Sequence, residues 1–104
     1  MTLHTRIHGA GHAHTIVLLH AIATSGAMWE PQIDRLSTSF RVVTVDLPGH
    51  GASPALPPGS DLGAYADAVL QTLDEHGVTS FTVVGESLGA MVSVRIAARR
   101  PRAV

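Results

Sequence analysis

Three short runs of the chain are apolar without alternation: Thr15-Ile16-Val17-Leu18-Leu19, Val42-Val43-Thr44-Val45 and Phe81-Thr82-Val83-Val84. A strand that is apolar along its whole length has both faces covered, as in parallel sheets, so each run predicts an inner strand. Between and after these runs the apolar positions switch to helical spacing. Trp29, Ile33 and Leu36 recur in that way, with Pro31 near the first turn, where a missing N–H costs little. Leu62, Tyr65, Val69 and Leu73 follow, opened by Ser60-Asp61 as caps and stopped by Gly77 as a left-handed terminator. The last segment, Ser87 to Arg100, is closed by Pro101 and sets Leu88, Val92 and Ile96 on one face, Arg95, Arg99 and Arg102 on another. Upstream, Leu3 to His8 alternates weakly and runs into Gly9-Ala10-Gly11, which predicts a strand and a turn, a hairpin onto the strand beginning at Thr15. The alternation of strand and helix predicts parallel strands joined by right-handed crossovers. The fold class is therefore α/β, a sandwich whose mostly parallel sheet of about four strands carries helices on both faces.

Composition narrows the function classes. At 104 residues and 45% hydrophobic content, one compact domain is expected. Net charge is −1 and the seven basic residues are all arginine. Arg95, Arg99, Arg100 and Arg102 read as the solvated side and last turn of a helix, where positive charge offsets the dipole, and not as a nucleic-acid surface. There is no cysteine, so disulfide and thiolate chemistry is excluded. The first residues lack the apolar stretch of a secretory leader, and the longest apolar run is too short to span a bilayer; a cytoplasmic protein is the expectation.

Chemistry enters at Gly85-Glu86-Ser87-Leu88-Gly89, a G-x-S-x-G run between an apolar strand and an amphipathic helix. A serine on so sharp a turn takes a strained backbone, and the residues two before and two after it approach one another, which calls for glycine at both Gly85 and Gly89. The hydroxyl is then lifted clear of the sheet, with the free N–H groups of the helix start facing the place where an oxyanion forms. The competing reading is a serine that only caps the helix.

Two further blocks precede it in order: Leu18-Leu19-His20-Ala21-Ile22-Ala23-Thr24-Ser25-Gly26-Ala27-Met28-Trp29, and Asp46-Leu47-Pro48-Gly49-His50-Gly51-Ala52-Ser53. With the elbow they resemble the strand-plus-H-G segment, the D-x-x-G-x-G-x-S turn and the nucleophile of the α/β-hydrolase family, over nearly the whole chain. The stretch is similar to enol-lactonases and related small-molecule hydrolases as well as to ordinary esterases. The resemblance implies Ser87 as nucleophile, with the backbone N–H groups of Leu88 and Ile22 as the oxyanion hole, donors that contribute on the order of 3 kcal/mol each to the transition state. Ala21 departs from the pattern, standing where glycine usually follows the histidine. His20, Ala21, Trp29 and Glu86 are candidates for the pocket rim. A small-molecule substrate is implied, and neither cofactor nor metal.

A serine hydrolase needs a histidine base oriented by a carboxylate, and in this family the order is Ser, acid, His. Residues 88–104 contain neither acid nor histidine. The family has about eight strands against the four predicted here. The expectation is therefore that residues 1–104 are the N-terminal portion of a single α/β-hydrolase domain, C-terminally truncated and inactive alone. The strand Phe81–Val84 would then present an unpaired edge, a surface for self-association. Rival functions are carbon–carbon bond hydrolysis or cofactor-free perhydrolysis on the same scaffold, and a non-catalytic ligand-binding protein that keeps the fold.

Other residues take structural readings. His4, His8, His12 and His14 are close in sequence, but strand and glycine turn prevent a helical ligand ladder, so a solvated hairpin is expected rather than a metal site. His20 and His50 shape their loops rather than act as base, since both precede Ser87. Asp46 is expected to fix the Gly49/Gly51 turn, Glu86 either to tune the site or to face solvent, and Trp29 and Met91 to lie in the core.

Overall fold

The computed structural model describes all 104 residues. Strands β1 (Thr5–His8), β2 (Thr15–Leu19), β3 (Arg41–Val45) and β4 (Thr82–Gly85) form one sheet in the order β1-β3-β2-β4. Helices α1 (Glu30–Leu36), α2 (Leu62–Glu75) and α3 (Leu88–Arg99) connect and close it, α1 being preceded by a 3-10 turn over Gly26–Trp29. β2 pairs in parallel with both β3 and β4, bringing Leu19 opposite Val45 on one side and Gly85 on the other. The ends of β2 and β4 therefore lie side by side, and the segments leaving them share one rim of the sheet.

β1 does not form the expected hairpin with β2. It pairs antiparallel with β3, Thr5 opposite Val45 and His8 opposite Val42. The reason lies in the side chains. β2 is buried at every position and needs a parallel neighbour on each side, whereas β1 alternates exposed and half-buried residues and suits an edge.

The sheet separates two apolar layers. On one face Ile16, Leu18 and Val42 meet Ile33 of α1, with Trp29, Leu36 and Phe40 packed around them. On the other, Val17, Leu19, Val43 and Val45 meet Val69 and Leu73 of α2 and Leu88, Val92 and Ile96 of α3. α2 is capped as the sequence predicts: the Asp61 carboxylate accepts from the Ala64 amide at 2.9 Å, and Gly77 follows at φ 70°.

Three expectations need correction. β4 is not covered on both faces. Val83 packs into the larger core, so Thr82 and Val84 turn to the α1 side, where α1 does not reach, and Val84 is 41% exposed. Met91 is not a core residue but 49% exposed, because the buried stripe of α3 runs Leu88, Val92, Ile96 and leaves Met91 and Val94 outside it. The arginines at the end of α3 are not merely solvated. Arg99 bonds Asp67 at 2.6 Å, and Arg100 grips Asp74 with two bonds of 2.6 and 2.7 Å, tying α3 to α2. No helix is long and apolar enough to cross a membrane.

Candidate active site

The bend after β4 is as tight as the sequence requires. Ser87 has φ 53° and ψ −113°, a region that costs a non-glycine residue about 1–3 kcal/mol and persists only when its surroundings impose it. Those surroundings are backbone. The Glu86 amide donates to the Leu19 carbonyl at 3.2 Å and the Gly89 amide to the His20 carbonyl at 3.1 Å, so both sides of Ser87 are fastened to the end of β2. The two glycines are needed for different contacts. A Cβ on Gly85 would run into the Gly89–Ala90 peptide, as the sequence suggests, whereas a Cβ on Gly89 would strike the Leu19 and His20 carbonyls rather than Gly85.

Ser87 is exposed, and its side chain does not cap α3. The Leu88 N–H, in the first turn of α3, donates to no acceptor in the chain. Ser87 is therefore not a serine that caps the helix through its side chain.

The loop after β2 supplies a second free amide. His20 is fully buried; its Nε2 accepts from the Leu47 N–H at 2.9 Å, which leaves Nδ1 as the protonated nitrogen, donating to the Ala21 carbonyl at 2.7 Å. Burial is the main cause that holds the His20 pKa below the ordinary histidine value, His50 adding to it while the Ala21 carbonyl and Asp46 oppose it. The Ala21 carbonyl accepts twice more, from the Thr24 hydroxyl at 2.6 Å and the Thr24 amide at 3.3 Å, and the Ala21 amide points at Met28 Sδ, 3.4 Å away. The methyl group of Ala21 is accommodated because the positive φ of this loop falls at Ala23, at 61°. The Ile22 N–H has no partner, and its side chain is 64% exposed.

Asp46 braces this loop from below. Its Oδ2 accepts from the Ala52 amide at 3.0 Å, fixing the Gly49/Gly51 turn as expected, and its Oδ1 accepts from the Gly26 amide at 2.7 Å, so the carboxylate also joins the two glycine-rich loops. Gly51 is required for another reason, since a Cβ there would occupy the Asp46 carboxylate. The rim expectations divide. Glu86 is exposed and Ala21 half-buried at the loop, but His20 lies beneath the surface with both ring nitrogens engaged, and Trp29 packs into the α1-side layer. His50 sits over His20, ring centres 5.0 Å apart, its Nδ1 3.0 Å from the Pro48 carbonyl oxygen. His14 is taken up by Thr82, Nε2 to Oγ1 at 2.9 Å.

Two cavities are wide enough for a small ligand, and neither involves Ser87. One of about 240 Å³ lies between Arg6 and His8 of β1 and Glu30 and Asp34 of α1. The other, about 480 Å³, lies beside Thr79 and Arg99–Ala103. Ser87 stands instead on an open surface.

The model of the alpha/beta hydrolase fold matches residues 14–104. The chain belongs to the alpha/beta hydrolase fold family. Among its relatives in this family, the pimeloyl-[acyl-carrier protein] methyl ester esterase of Chromobacterium violaceum is 42% identical over 91 residues, 88% of this chain and 34% of the esterase. The (E)-2-((N-methylformamido)methylene)succinate hydrolase of Acinetobacter baylyi is 28% identical over 91 residues, 88% of this chain and 35% of that protein. The crystal structure of the enol-lactonase from Burkholderia xenovorans LB400 superposes with a TM-score of 0.92 at 35% identity, covering 98% of this chain and 40% of the lactonase. The chain thus spans well under half the length of these alpha/beta hydrolase relatives.

Proposed function

We propose that the chain carries the nucleophile and oxyanion donors of a hydrolase acting on an ester, lactone or related carbonyl of a small molecule. Ser87 is the nucleophile, and the Ile22 and Leu88 amides receive the oxyanion. The observation that carries this reading is a pair of unpartnered N–H groups, Leu88's next to an exposed serine held at φ 53° and Ile22's in the loop leaving β2, the strand paired with β4. The methyl ester esterase and the enol-lactonase among its relatives support hydrolysis of an ester or lactone, and the (E)-2-((N-methylformamido)methylene)succinate hydrolase and the enol-lactonase support a small molecule as substrate.

In this reaction Ser87 Oγ forms a bond to the carbonyl carbon while its proton passes to a base. The carbonyl π electrons move onto oxygen, where the two amides stabilise them, and return as the alkoxide leaves. His20 is unsuited to be that base because neither of its nitrogens is free. Residues 88–104 contain no histidine, and the 104 residues alone are expected to turn over no ester.

Imidazole in solution tests the assignment by supplying the base. With a fluorophosphonate probe, Oγ attacks phosphorus, fluoride leaves and imidazole takes the proton. Labelling that appears only with imidazole, maps to Ser87 by mass spectrometry and is lost in Ser87→Ala is the expected result. A folded chain that stays unlabelled at every imidazole concentration defeats the reading.

A further inference from the structure

Thr24 is exposed, and nothing in its sequence surroundings says what it bonds. Yet its hydroxyl lies 2.6 Å from the Ala21 carbonyl oxygen, the shortest of the bonds that converge on that atom. The hydroxyl has one proton to give. Met28 Sδ at 3.4 Å is a weaker acceptor, and His20 Nδ1 at 3.3 Å is itself a donor, because His20 Nε2 accepts from Leu47. The proton therefore goes to Ala21.

The Ala21 oxygen and the Ile22 N–H are opposite ends of one planar peptide unit, and no peptide bond in the chain is cis. Pinning the oxygen into the loop thus aims the N–H out of it. His20 Nδ1 at 2.7 Å and the Thr24 amide at 3.3 Å donate to the same oxygen, but nothing holds the Ile22 side: its amide has no partner, its side chain is largely exposed, and the neighbouring Ala23 is held at a φ of 61° that favours departure from this turn.

We propose that Thr24 is a positioning residue, its hydroxyl orienting the Ala21–Ile22 peptide so that the Ile22 N–H faces the oxygen developing at Ser87. The proposal rests on the assignment of Ser87 and Ile22 above. Thr24→Val removes the donor at nearly constant shape, and Thr24→Ser restores it.

Two readouts test it on the same 104-residue chain: the residual dipolar coupling of the Ile22 N–H, and the imidazole-dependent rate of Ser87 labelling by a fluorophosphonate. The Val variant should reorient the Ile22 N–H, leave the couplings of Val17 and Val43 in the sheet unchanged, and slow labelling about tenfold, a fraction of what loss of a whole oxyanion donor costs. The Ser variant should return both readouts to within about twofold of the unaltered chain. Labelling at an unchanged rate in Thr24→Val, whether or not the coupling moves, overturns the proposal, as does a Ser variant that behaves like Val. Failure of the parent assignment looks different: Ser87 is then unlabelled in the unaltered chain.

Discussion

A methyl group added at Gly89 is the sharpest probe of how the elbow is built. Its carbon would lie 2.6 Å from the Leu19 carbonyl carbon and 2.8 Å from the His20 oxygen, closer still to the Leu19 oxygen. All three are backbone atoms at the end of β2 and the residue just after it, so none can swing aside as a side chain would. Relief requires the start of α3 to retreat from β2, which stretches the bonds from Glu86 N to Leu19 O and from Gly89 N to His20 O, now 3.2 and 3.1 Å. Two backbone bonds at about 1 kcal/mol each, with an overpacking cost of about 1–3 kcal/mol, give a loss of roughly 3–5 kcal/mol for Gly89→Ala. That is a large part of the stability of an ordinary domain, roughly 5–15 kcal/mol. Gly11→Ala is the control, because nothing lies within 4 Å of a Cβ there and its φ is not positive. Urea unfolding followed by circular dichroism measures both. A Gly89→Ala midpoint shift worth less than about 1 kcal/mol would refute the close approach of elbow and β2.

Three smaller predictions follow from the same geometry. Ala23→Gly should stabilise the chain by up to about 1 kcal/mol in the same assay, since glycine adopts φ 61° without the Cβ clash; a clear loss would contradict the turn. His20 resists protonation in the folded chain, so below about pH 6.5 the unfolded chain takes up a proton that the folded one refuses. Its contribution is thus whole above pH 6.5 and declines as pH falls toward the lowered folded value, by at most about 1.4 kcal/mol per pH unit; a His20→Gln chain should lack this component of the unfolding pH profile. The Asp74 carboxyl is held below the ordinary range by its bonds to the Arg100 guanidinium, so the pair stabilises above the ordinary aspartate pKa and fades as pH drops through the lowered one. With the two side chains 47% and 38% exposed, Asp74→Asn should cost only about 0.5 kcal/mol at pH 7 and nothing at pH 2, read from urea midpoints.

How far the sequence reveals this molecule depends on which physical signal each feature leaves. Apolar runs announce β2 and β3, and helical spacing with Asp61 and Gly77 announces α2, because burial and capping are written in residue type. Pairing partners are not: β1 next to β3 instead of β2 is decided by which neighbours the central strand needs. The run Phe81–Val84 looks like an inner strand because its apolar content is the same whether or not a neighbour covers it. Gly85 and Gly89 are legible as close-approach residues, but that Gly89 faces the β2 carbonyls appears only once the chain is folded. Thr24, Met28 and Ser53 fall within recognisable blocks, but the sequence does not say what they bond. Their bonds depend on loop shape, and only the recurrence of small polar residues beside His20 and after Asp46 hints at them. The Arg100–Asp74 pair could have been sought, since Asp67 and Asp74 lie seven residues apart on one face of α2, facing the arginines of α3.

The measurement closest to the central claim is the amide spectrum of the chain after Ser87 has been phosphonylated in the presence of imidazole. The phosphoryl oxygen of that adduct stands where an oxyanion would. If two free backbone donors are aimed at it, the Ile22 and Leu88 amide protons move downfield together, more than any other amides, and become slower to exchange with water. An adduct at Ser87 that leaves those two resonances in place, or shifts a different pair, contradicts the account.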